Sequence, residues 1–168
     1  MTEQSIRILL LEDDQDEAHL LIETLTGISP VSLLFDHVTT AAAAVQKLRS
    51  ETFDAALVDL SLPDAQRLEA LQAVQQVQPS MPVVVLTGAM DDDLGVSAVQ
   101  LGAEDYLTKG QVEATHVLHA LRYAIERRRR EPSETLHAEG VTPSNTDTVI
   151  FNEWPQTVAG CRLRRVIG

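Results

Sequence analysis

The chain has 168 residues, 44% of them hydrophobic, which suits one domain with a real core and a tail. Its 25 acidic residues outnumber 13 lysines and arginines, for a net charge of −12 that argues against wholesale binding of nucleic acid or an anionic membrane. The one cysteine, Cys161, excludes an intramolecular disulfide and fits a reducing compartment, and no apolar window is long enough to span a bilayer, so a cytoplasmic location is expected.

The first apolar run, Ile6–Leu11, predicts a strand and stops at Glu12, Asp13 and Asp14, which is not the layout of a signal peptide. Ala18, Leu21, Ile22 and Leu25 then follow helical spacing, with Asp14 or Asp16 expected as the cap. Val31–Val38 reads as a second strand. An alanine-rich helix follows, with Ala41, Ala44, Val45 and Leu48 on one face. Ala55–Leu60 is a third strand and ends on Asp59 and Pro63. Leu68, Leu71, Val74 and Val77 form the next helical stripe.

Pro82–Leu86 is a fourth strand, leading into Thr87-Gly88, and Asp91 to Asp93 read as caps of a helix carrying Leu94, Ala98 and Leu101. A short fifth strand, Asp105–Leu107, precedes Thr108-Lys109-Gly110 and a last helix with Val117, Leu118, Leu121 and Ile125. Arg127 to Arg130 are expected to be a solvated helix end that suits the helix dipole. Three strands are almost continuously apolar, as in a parallel sheet buried on both faces. Strand–helix alternation five times over predicts an α/β doubly wound fold with helices on both faces. Residues 131–148 shift to Ser, Thr, Pro, Glu and Asn and read as a linker, and residues 149–168 recover some apolar content. Together, residues 131–168 read as a linker and tail without an output domain, disordered or docking.

Ligands of open parallel sheets bind outside the carboxyl ends of the strands. There this sequence places Glu12, Asp13, Asp59, Thr87 and Lys109. Clustered carboxylates repel unless a cation joins them, and Mg²⁺ accepts one or two carboxylates plus a phosphate. A lysine and a threonine hydroxyl then suit a phosphoryl group, and a carboxylate beside a metal can attack phosphorus. Taken singly, Asp59 reads as a turn residue, Thr87 as a strand residue, Tyr106 as core and Lys109 as a solvated lysine. At neighbouring strand ends they read as a site. His116 and His119, three apart on a helix with no third ligand, read as ordinary.

The stretches I-L-L-L-E-D-D, A-L-V-D-L-S-L-P-D, V-V-V-L-T-G and D-Y-L-T-K-G resemble the receiver domains of two-component response regulators, in order and spacing over about residues 5–128. The resemblance implies a five-stranded parallel sheet of order 2-1-3-4-5 and a receiver domain over residues 1–130. It implies that Asp59 accepts a phosphoryl group from a histidine kinase's phosphohistidine, and that Glu12, Asp13, Asp59 and the Ser61 backbone carbonyl hold Mg²⁺. It makes Thr87 and Tyr106 the switch pair, Lys109 the phosphoryl partner and Gly88 the small residue that leaves donors access. It further implies a sensor kinase or phosphotransfer protein as partner and a readout face made of the fourth helix, fifth strand and fifth helix. With no output pattern readable in the tail and a net charge of −12, the expected output is a protein partner or a second copy, not nucleic acid or membrane. Such a chain is a switch with its own phosphorylation chemistry rather than an enzyme.

Two positions depart from the pattern. Arg67 stands where the family carries glycine, so that loop is expected to turn differently, and Gly110 stands where proline is common. Two other readings compete. A haloacid-dehalogenase-like aspartyl phosphatase needs an acid two residues after the nucleophile, where Ser61 stands. A degenerate receiver acting as a scaffold would rest on Arg67 alone.

Overall fold

The structure, a computed structural model, describes residues 5–88 and 92–130. Five parallel strands lie in the order β2-β1-β3-β4-β5: β1 (Ser5–Leu11), β2 (Ser32–Val38), β3 (Ala55–Val58), β4 (Val83–Thr87) and β5 (Asp105–Thr108). Helices α1 (Gln15–Ile28), α2 (Ala41–Ser50), α3 (Glu69–Val77), α4 (Asp92–Gln100) and α5 (Ala114–Arg130) alternate with them. This is the fold class and strand order that the sequence implies. No helix among the described residues is long and apolar enough to cross a membrane. The expected linker and tail, residues 131–168, and Asp91 as a cap lie outside the described residues.

The apolar strands divide by alternation, because successive side chains point to opposite faces. Leu9, Leu11, Ala56, Val58, Val83 and Val85 pack with α2, α3 and α4. Ile8, Leu10, Ala55, Leu57, Val84 and Leu86 pack with α1 and α5 through Leu25, Val117 and Leu121. β3 and β4 are buried at every position, which is why they read as unbroken apolar runs. Each fully buried leucine or valine contributes about 1.5–3 kcal/mol.

Caps set the helix starts. Asp14 is the N-cap of α1 and accepts from the amides of Asp16 (2.9 Å) and Glu17 (3.0 Å). α2 is capped twice: Thr40 Oγ1 accepts from Ala43, and both carboxylate oxygens of Asp64 accept, from Ala41 and Ala42, at 2.9 Å each. Asp64 thereby ties the loop after β3 to the start of α2, and these amide bonds hold its carboxyl below the usual range.

The arginines at the end of α5 are not simply solvated. Arg128 Nε donates to Glu104 at 2.7 Å and Arg127 pairs with the same carboxylate at 3.2 Å, while Arg129 lies 3.6 Å from Asp54 and from Glu126. Arg127, Arg129 and Arg130 are exposed, as a solvated helix end requires, while Arg127 and Arg128 also clamp α5 to Glu104 at the base of β5. The loop containing Arg67 also departs from expectation. Arg67 adopts φ +47°, the one positive φ outside glycine among the described residues, so the backbone keeps the left-handed turn although the side chain has a Cβ. Gly110 supplies a further left-handed position at φ +76° directly after Lys109.

Candidate functional site

The site is built by backbone ladders that run to the ends of the central strands. The Glu12 amide donates to the Val38 carbonyl at 3.0 Å, the Asp59 amide to Leu11 at 2.9 Å and the Lys109 amide to Thr87 at 2.7 Å. Residues from three strand ends are thus fixed by main-chain bonds before any side chain is considered. Asp59 directly follows the last residue of β3, Val58, and is buried, as are Glu12 and Thr87.

Lys109 is the centre of the charge pattern. Its Nζ donates to Asp59 Oδ2 at 2.6 Å, to Glu17 Oε2 at 2.7 Å and to Glu12 Oε2. The other oxygen of Asp59 accepts the Ser61 amide at 2.9 Å, so both carboxylate oxygens are held. Burial alone would lower the lysine's pKa, but the bonds from Asp59, Glu12 and Glu17 hold it above its usual range. Glu12 moves up: its burial outweighs the Lys109 bond, and the charge of Asp59 adds to the shift.

Glu12, Asp13 and Asp59 each offer a carboxylate oxygen, and these oxygens lie within 4.8 Å of one another. Two of the three are buried and Asp13 is exposed, so the group opens to solvent on one side. Clustered buried acids of this kind favour a hard divalent cation.

The structure brings Glu12, Asp13, Asp59, Ser61 and Lys109 together, with Thr87 buried at the end of the neighbouring strand. Gly88 is exposed, and a Cβ built there meets nothing within 4 Å, so open space surrounds it. Tyr106 is half-buried on β5, its ring against Gly95 of α4. His116 and His119 are exposed and belong to no candidate metal group among the described residues.

Two neighbours of the site are not evident from sequence pattern. Glu17, in the first turn of α1, reaches Lys109; the tilt of helical side chains toward the N-terminus was the available signal. His37, at the end of β2, contacts the Glu12 carbonyl through Nε2 at 2.7 Å. A carbonyl only accepts, so Nε2 carries the proton.

The sequence model of the response regulator receiver domain matches residues 8–122. The transcriptional regulatory protein QseB of Haemophilus influenzae is 32% identical over 152 residues, 89% of this chain and 66% of that protein. The DNA-binding transcriptional regulator NtrC of Proteus hauseri is 29% identical over 146 residues, 87% of this chain but 30% of that protein. The chain therefore spans less than two thirds of the length of these curated relatives. Among solved structures, a CheY-like receiver domain protein of Methanospirillum hungatei superposes with a TM-score of 0.68 at 24% identity, covering 76% of this chain and 99% of that one. The phosphorylated cyanobacterial phytochrome response regulator RcpA gives 0.61 at 24% identity, covering 76% and 96%. At that identity the two structures speak to the fold.

Proposed function

The chain belongs to the response regulator receiver domain family of two-component signalling, and from that premise we propose that it is a phosphorylation-dependent switch with Asp59 as its phosphoacceptor. One observation carries the reading: the buried carboxylate of Asp59 is gripped by Lys109 at 2.6 Å and stands in an acid group that fits a divalent cation.

The transfer conserves atoms and charge. A carboxylate oxygen of Asp59 forms a bond to phosphorus while the phosphorus–nitrogen bond of a kinase phosphohistidine breaks. The departing imidazole nitrogen keeps the electron pair and later takes a proton from solvent. Glu12, Asp13, Asp59 and the Ser61 carbonyl would hold Mg²⁺, which when bound supplies charge neutralisation for the transferring phosphoryl oxygens. Lys109 orients Asp59 beforehand and meets the phosphoryl charge afterwards. Gly88, with open space about it, leaves the donor room.

The new charge on Asp59 then biases a two-state element, with the Thr87 hydroxyl and the Tyr106 ring turning inward. The output face is α4, β5 and α5, where Val96, Val99 and Tyr123 are exposed. It suits a protein partner or a second copy of the chain. The DNA binding named for NtrC belongs to a protein of which this chain spans 30%, and the net charge of −12 disfavours nucleic acid as this chain's own target. A sensor kinase or phosphotransfer protein in the cytoplasm is the upstream partner. The scaffold alternative rested on Arg67, whose backbone takes the left-handed turn regardless.

The test is intact-protein mass spectrometry after incubation with acetyl phosphate, with and without Mg²⁺. One Mg²⁺-dependent phosphoryl adduct, absent in Asp59→Asn, is expected. An adduct that survives Asp59→Asn, or none on the wild type under rapid quenching, sinks the assignment.

A further inference from the structure

An ammonium group has three N–H donors, and in Lys109 each is taken by a different carboxylate. Two of these, Glu12 and Asp59, belong to the acid group that fits a cation; the third, Glu17, does not. Glu17 comes from α1, its side chain is 57% exposed, and it holds the lysine from the solvent side of the site. We propose that Glu17 is a positioning residue that draws Lys109 outward and so restrains phosphorylation of Asp59. The proposal rests on the reading of Asp59 as the phosphoacceptor.

The argument follows from the competition among acceptors. A cation shared by Glu12 and Asp59 satisfies charge that Lys109 otherwise serves. A phosphoryl group entering at Asp59 brings further oxygen acceptors and further negative charge, which pull the ammonium inward. Glu17 is then the acceptor still pulling the other way. Glu17 thus acts on the position of the ammonium group, through its bond to Nζ at 2.7 Å. Because Glu17 is exposed, the restraint is modest; a pair of this kind shifts an equilibrium or a rate by roughly two- to fivefold. The contact spans residues 92 apart in sequence and joins α1 to the turn after β5.

The experiment measures initial labelling rates of the full chain with Mg²⁺ by intact-protein mass spectrometry, with acetyl phosphate and with phosphoramidate. In each, the bond from phosphorus to the leaving group breaks as the Asp59 oxygen bonds to phosphorus, releasing acetate or ammonia. Glu17→Gln and Glu17→Ala are expected to label roughly two- to fivefold faster than wild type with both donors. Glu17→Asp, which keeps the charge, is expected to return toward the wild-type rate. Wild-type or slower labelling of both neutral variants overturns the proposal and leaves the phosphoacceptor intact. Acceleration with the more highly charged acetyl phosphate alone also overturns it, because that pattern is repulsion of the donor rather than placement of Lys109. A wild type that takes no label from either donor removes the phosphoacceptor reading and the proposal together.

Discussion

The ring of Tyr106 lies against the backbone of Gly95: a Cβ built at residue 95 stands 3.0 Å from Cδ1 and 3.2 Å from Cε1 of that ring. These contacts are tighter than ordinary packing, so a methyl group there must displace the ring by a few tenths of an ångström. Alanine is also the better helix former by about 1 kcal/mol, which offsets the crowding. Gly95→Ala is therefore expected to leave stability within about 1 kcal/mol of wild type while moving Tyr106. The chain has two tyrosines, and the other, Tyr123, is exposed on α5. Ring proton spectra should show one tyrosine shifted and one unchanged; two unchanged tyrosines would contradict the packing.

Arg67 holds a left-handed backbone that costs a residue with a Cβ about 1–2 kcal/mol. Glycine relieves that cost but loses more entropy on folding, by about 0.5–1 kcal/mol. Arg67→Gly should thus be neutral to about 1 kcal/mol more stable in urea denaturation. Arg67→Val, with a β-branched side chain in the same turn, should lose more than about 1 kcal/mol. Equal stability for the two variants would show that the turn relaxes.

The carboxylate of Glu104 is 5% exposed and meets both Arg127 and Arg128. Removing its charge leaves two arginines that still reach water, so the cost is that of lost charge-assisted bonds rather than of a stranded buried charge. Glu104→Gln is expected to lower stability by about 1–3 kcal/mol. Native-state hydrogen exchange should show the loss concentrated in the last turns of α5, and uniform loss across the sheet would count against the clamp.

Acid should weaken the fold through Asp36 and Glu51. The bonds from Lys47 and Arg7 hold Asp36 below its ordinary 3.8, and those from Arg7 and Lys47 hold Glu51 below its ordinary 4.5. Groups lowered in the folded state contribute stability that is present above their ordinary values and lost as pH falls through the lowered ones. Glu12 and Asp105, raised chiefly by burial, have the opposite sign: their contribution is present below the ordinary range and lost as pH rises through the raised values. The urea midpoint should fall as pH drops below about 4, and Asp36→Asn should flatten that limb. An unchanged slope in the variant would remove Asp36 from the account.

Much of this architecture is readable without coordinates. β3 and β4 are apolar at every position because both faces are covered, and Asp59, Thr87 and Lys109 stand out as polar residues where such runs end. What the pattern does not carry is contact between side chains distant in sequence. Glu17 looks like any acid in a first helical turn until α1 is placed beside the turn after β5. Arg127 and Arg128 look like a free basic run until Glu104 is brought under α5. The backbone at Arg67 is hidden for a different reason, since a residue type gives only the cost of a positive φ and the surrounding loop decides whether it is borne.

The strand β2 has a second consequence, for how the molecule behaves in a crowd. It is a sheet edge of seven residues with Leu34 exposed, the kind of border that another chain can extend by adding a strand. Along that border lies Asp36, bound to Arg7 and Lys47 at 2.8 Å each. Fixed charges on the edge strand of the described sheet penalise an incoming strand, and the same network ties β1, β2 and α2 together. A variant neutralised there would keep its fold at neutral pH and become the one that comes out of solution on concentration.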